Sequence, residues 1–239
     1  MRSNYKVFCR CYAILLVLLI PIPGIAAGMP AQTGGGFEEQ LRIYKSSLRS
    51  GAEAFSKENY SAVIANYTTA IELSPFETSS YYQRGTAFYR LGRYKECIAD
   101  FSRIILLDDR MGTAYTYLGL CKAGAGEYKE ALNAYNRALE FNPKDVSVHN
   151  NIAILYASAR NANFRDRLKA LEYAIKASEL SGEKNAEILD SLSYVYFVNG
   201  KIPEAIEAEK KALKLAPENE AFKKKLQDLE TQLSGTKKP

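Results

Sequence analysis

The sequence predicts an all-α chain of stacked helix pairs, and three observations carry that expectation. Marker residues recur at a step of 34 positions: Gly51, Gly85, Gly119 and Ala153; Tyr60, Tyr94 and Tyr128; Tyr67, Phe101 and Tyr135. Each step holds two apolar stretches with helical spacing, joined by a short turn. Pro75, Pro143 and Pro217 then stop the second helix, because proline lacks the amide hydrogen and clashes with the preceding turn. A period of this length marks repeat architectures whose units bury their apolar faces against their neighbours.

Composition agrees. The chain has 239 residues, of which 47% are hydrophobic, enough for a packed core, and 25% are charged. The net charge of +5 owes most to Arg2, Lys6 and Arg10. Beyond residue 27 there are 29 bases against 27 acids, a near balance that does not demand nucleic-acid binding, for which a basic patch or stripe is usual.

The first segment stands apart. Residues 1–11 are polar and basic, 12–20 are apolar, and 21–28 contain Pro21, Pro23 and Gly24 before ending in small residues. That order predicts a secretory signal over 1–27, cleaved after Ala27, Gly28 or Ala31. The expected location is therefore exported, periplasmic or secreted. The alternative is an anchor retained in the inner membrane through residues 12–27, although the apolar run is short for a span. Cys9 and Cys11 precede the apolar run, which disfavours a lipid-anchor signal. Residues 28–37 read as a flexible, glycine-rich leader. Only Cys97 and Cys121 follow, on neighbouring helices; they are expected as buried free thiols, or as a bridge if their α-carbons come within about 7 Å.

The repeats occupy 44–77, 78–111, 112–145, 146–184 and 186–219 within a folded body of 38–233. In each, a small residue at the eighth position (Gly51, Gly85, Gly119, Ala153, Ser193) admits the second helix, which answers with compact Val63, Cys97, Ala131, Ala170 or Ala205. Gly92, Gly126 and Gly200 supply the left-handed residue that ends the first helix. The fourth unit carries an insertion at 161–167, with Phe164 among polar residues, either a contact loop or a variant turn without a role. Phe222, Leu226, Leu229 and Leu233 form the apolar face of a capping helix over 220–233, and 234–239 is expected to be a disordered tail.

Tyr115, Leu118, Gly119, Tyr128, Ala131, Tyr135, Ala138 and Pro143 stand in the spacing of the tetratricopeptide repeat, which the chain resembles over about three quarters of its length. Lys122 departs from the pattern where an aromatic is usual, Asp109 where proline is, and Ser47 and Ser50 in the first unit. The resemblance implies a right-handed α-solenoid of about five units whose first helices line a concave groove for peptide segments. Positions 2, 5, 9, 12 and 13 of each unit then give the lining, which includes Phe55; Tyr82, Tyr89 and Arg90; Thr116 and Leu120; Asn150 and Ile154; Asp190, Tyr194 and Phe197. For Tyr82, Tyr89, Tyr194 and Phe197, groove and ordinary packing remain alternatives. The clamp of Lys and Asn by which some members grip a C-terminal carboxylate has no counterpart, since Leu48 and Ala52 stand there.

His149, the single histidine, falls in the column of a packed ring and reads as core. No His or Cys cluster has zinc spacing, no Gly-rich loop precedes a phosphate-binding Lys, and no nucleophile elbow exists. Asp108 and Asp109 fall at a helix end, where acids cap or solvate. The expectation is a non-enzymatic scaffold without cofactor or metal, binding a protein or peptide and neither nucleic acid nor a small substrate. Membrane contact would follow only if the N-terminal segment is kept, and the alternative function is then a tethered or self-associating organiser of an envelope assembly.

Overall fold

The computed structural model describes residues 35–235; the expected signal over 1–27 lies outside the described residues, as do 28–34 and 236–239. Two compact units divide at Gln40 and Leu41, and the second holds the repeats. Eleven helices and no strand occur among the described residues: α1 (Gly35–Ser56), α2 (Tyr60–Leu73), α3 (Thr78–Arg90), α4 (Tyr94–Leu107), α5 (Gly112–Gly124), α6 (Tyr128–Phe141), α7 (Val146–Ser158), α8 (Arg167–Leu180), α9 (Ala186–Val198), α10 (Ile202–Leu215) and α11 (Glu220–Gly235). α1 thus starts inside the stretch expected as a leader, with Glu38 in its first turn where the helix dipole favours an acid. α11 continues through Ser234 and Gly235, two residues into the expected tail.

From α2 onward each helix packs on the next, α1 meets α2 through Gly51 and Tyr67, and the pairs form an α-solenoid of helix-turn-helix units. First helices also approach their counterparts one unit on, α3 to α5, α5 to α7 and α7 to α9, whereas second helices keep farther apart. The first helices therefore form the inner wall. Gly92, Gly126 and Gly200 take φ of 70°, 84° and 74° at the turns, and in the first unit Glu58 adopts the same left-handed conformation at 53°. Pro75, Pro143 and Pro217 each follow the last helical residue by two positions, with Ser74, Asn142 and Ala216 as C-caps.

The eighth-position glycines work differently from the expectation. A Cβ on Gly51 would lie 2.7 Å from the Tyr67 ring, one on Gly85 would lie 2.8 Å from Phe101, and one on Gly119 would collide with Tyr135. The space is taken by the aromatic four residues beyond the compact one. Val63, Cys97, Ala131, Ala170 and Ala205 are all fully buried, but they are not what the glycines accommodate.

The sulfurs of Cys97 on α4 and Cys121 on α5 are joined as a disulfide, with α-carbons 5.9 Å apart. The free-thiol alternative is therefore not the one adopted, because the 34-residue stacking brings the second helix of one unit onto the first helix of the next at this spot. His149 is core, as expected, and takes over a bond made by a tyrosine elsewhere. Tyr81 donates its hydroxyl to the Pro75 carbonyl at 3.1 Å, and two units later the His149 Nε2 lies 3.0 Å from the Pro143 carbonyl.

The insertion is also structural. Phe164 stacks on Tyr156 at 5.5 Å between centroids and tilts against Tyr128 at 5.4 Å. The Arg160 amide donates to the Tyr128 hydroxyl at 2.9 Å. The extra residues thus pin the fourth unit to the third, and Phe164 is half-buried between them.

Two charged clusters each hold a buried acid. Arg84 forks onto Asp100 with bonds of 2.9 and 2.7 Å, and Asp100 is only 4% exposed. Burial raises the Asp100 carboxyl above its ordinary range even though Arg84 opposes the shift. At the other end, Lys225 of α11 reaches Asp190 at 2.7 Å and Glu209 at 3.3 Å, and Glu209 is fully buried.

Candidate functional site

The first helices carry the eleven lining residues named from the sequence, and the structure separates them into three groups. Tyr89, Leu120 and Ile154, from three successive units, converge on one open cavity of about 400 Å³. That size suits a small ligand or a side chain with some flanking backbone, since such sites run from about 300 to 1,000 Å³.

A second group is engaged in packing. Tyr82 meets Phe101 edge-on at 5.6 Å and Tyr117 at 5.2 Å, and burial followed by the neighbouring Tyr117 hydroxyl pushes its phenol well above the ordinary tyrosine range. Phe55 lies edge-on to Tyr60 at 5.8 Å. Thr116 donates to the Gly112 carbonyl at 3.3 Å. Tyr194 is half-buried against the core of the central units. Asp190 is held by Lys225 through both its carboxylate and its backbone carbonyl.

The third group stays open or unsatisfied. Arg90 is exposed and Phe197 is 37% exposed. Asn150 is half-buried, with an enclosed side-chain oxygen that has no hydrogen-bond partner.

The cavity has a local cause. At the twelfth position of the units stand Phe55, Tyr89, Ala123, Ala157 and Phe197, so the ring present in units one, two and five is missing in three and four. Unit three goes further, ending its first helix in Ala123-Gly124-Ala125-Gly126. Tyr94 leans over this run so closely that a Cβ on Gly124 would collide with its ring. Tyr94, Tyr128 and the edge of Tyr135 complete the aromatic walls. Burial raises the Tyr89 and Tyr135 phenols, Tyr135 beyond the ordinary tyrosine range, so both are neutral at physiological pH. Tyr94 and Tyr128 are missed from the sequence because their columns read as structural, whereas Ala123 falls in a lining column and is passed over for its small side chain; the run of small residues is the available signal.

No group of three or more His, Cys, Asp or Glu residues placed to hold a metal ion occurs among the described residues. No described helix is long and apolar enough to cross a membrane.

Comparison with known proteins agrees with this architecture. Tetratricopeptide repeat families match residues 78–110 and 156–220, and a TPR repeat family matches 125–158. The chain therefore carries tetratricopeptide repeats. Among solved structures it is similar to TTC0263, a thermophilic TPR protein of Thermus thermophilus, at 19% identity over 78% of this chain and 98% of that one, with a TM-score of 0.66. It also resembles MamA of Desulfovibrio magneticus (17% identity, 74% of this chain and 97% of that one, TM-score 0.60). A further likeness is to YrrB, a TPR protein with an unusual peptide-binding site (20% identity, 79% and 94%, TM-score 0.53). At these identities the likeness concerns the fold. No curated protein matches the chain.

Proposed function

We propose that the chain is an exported, non-catalytic scaffold that holds a partner polypeptide along the inner wall of its repeats, in the bacterial cell envelope. The observation that carries this reading is the meeting of Tyr89, Leu120 and Ile154 in one open, aromatic-walled cavity built by three consecutive units. Tyrosine offers large contact area at low entropy cost together with a hydroxyl for pairing, which is what protein-binding surfaces favour. The peptide-binding site named for YrrB supports the same use of the fold. Export is supported by the N-terminal pattern and by the buried disulfide, a bond that persists in oxidising compartments.

The test places a photo-crosslinking residue at Leu120 and, as control, at Leu168, which is 79% exposed on α8. A partner trapped from envelope extract through Leu120 and not through Leu168 is the expected result. Trapping through Leu168 alone would move the binding surface elsewhere. Export has its own check, since the intact mass of the native protein should lack the first 27 or so residues.

A further inference from the structure

We propose that the cavity accepts an aromatic or large aliphatic side chain from the partner, with a carboxylate within one or two residues of it. The inference deepens the scaffold reading and rests on it.

The first part follows from the interrupted column. Where Phe55, Tyr89 and Phe197 fill the twelfth position, Ala123 does not, and the surrounding rings remain in place. A guest ring would occupy the place of the missing one, among Tyr89, Tyr94, Leu120 and Ile154. Aromatic side chains bury roughly 150–250 Å² each, and ring pairs gain further from edge-to-face and offset contacts. A small or charged side chain would leave the cavity partly empty or strip a charge of its water.

The second part follows from charge. Arg160 is the sole charged residue among those lining the cavity, and its side chain makes no ion pair among the described residues. Its backbone is fixed by the bond to Tyr128, so this exposed arginine borders the cavity on an anchored segment rather than on a loose loop. An arginine fork beside an apolar pocket favours a carboxylate over an amide or an amine. Asn151, also in the lining, makes no side-chain hydrogen bond among the described residues and has both a donor and an acceptor to offer a guest backbone.

The experiment pans a phage-displayed library of random peptides against the full chain and measures the affinity of the enriched peptides for two variants. Ala123→Phe fills the gap with a ring of the protein's own, and Arg160→Glu reverses the rim charge at an exposed position. Enriched peptides should pair a ring or large aliphatic with Asp or Glu, and each variant should weaken them by about tenfold or more. Peptides that bind without preferring acids, or that tolerate Arg160→Glu, would overturn the proposal while leaving the scaffold reading standing. If no peptide is enriched, the scaffold reading itself fails and the proposal with it.

Discussion

The first three units and the last two solve the same packing problem with different chemistry. In units one to three a glycine of the first helix faces an aromatic of the second: Gly51 with Tyr67, Gly85 with Phe101, Gly119 with Tyr135. Unit four replaces both partners, placing Ala153 and Ala174 in one buried cluster. Unit five places Ser193 against Glu209, a fully buried acid in the aromatic column, and completes the site with Lys225 from the capping helix. Ring and glycine are thus a matched pair, lost together. The ring-filled crossings need only apolar contact, whereas the last one depends on a helix from outside the repeat. That dependence suits a terminal unit, because a Lys that only the cap supplies ties the cap to one seat.

The comparison can be broken in several places. The largest effect is expected at the disulfide, which joins two ring-type units across a separation of 24 residues. Closing a loop of that size stabilises by about 3.5 kcal/mol in the chain-entropy account. Adding reductant during a urea titration should lower the midpoint accordingly, and Cys97→Ala with Cys121→Ala should make the titration indifferent to reductant. An unchanged midpoint in the unmodified chain would show that stacking alone holds units two and three.

Lys225→Ala comes next. It leaves Glu209 buried without its cation and should cost about 3 kcal/mol, the lower end for a broken buried pair because Lys225 keeps some water contact. Hydrogen exchange should show the loss concentrated in α9 to α11. A uniform loss over all units would contradict the local nature of the polar crossing.

Gly119→Ala should cost about 2 kcal/mol by forcing the Tyr135 ring aside. In a Tyr135→Ala background that cost should shrink towards zero, a coupling that a double-mutant cycle reads directly. Additive effects would mean that glycine and ring are not a pair.

The smallest effect is a gain. Burial holds the Glu209 carboxyl above its ordinary range, with Lys225 pulling the other way. A raised native pKa means that the folded chain binds the proton more tightly than the unfolded one. The ionised form therefore costs stability at neutral pH, and the cost vanishes as pH falls through the native pKa towards the usual 4.5. Glu209→Gln should then gain on the unmodified chain at neutral pH, by less than any of the losses above, and converge with it on acidification. A gain that persists at acid pH would assign the effect to packing instead of charge.

Much of this fold was legible in the chain itself. Period, turn glycines and stopping prolines depend on local geometry: a left-handed φ at Gly92 or a missing amide at Pro143 acts within a few residues, so the sequence shows it directly. His149 as core was legible for the same reason, since its column repeats. The expected lining was legible only in part. Tyr82 and Asp190 stand at inner-wall positions, yet Phe101, Tyr117 and Lys225 claim them, and each claim comes from a helix other than their own.

By itself, then, the sequence determined the helices, their pairing and the step from unit to unit, because these follow from short-range sterics and the spacing of apolar residues. Tertiary structure alone decided which ring fills each glycine's space, that Cys97 and Cys121 meet, that Phe164 staples two units, and that the gap at Ala123 opens into a cavity. Those outcomes depend on distances between segments that stacking brings together, and no position carries that information until its neighbours are in place.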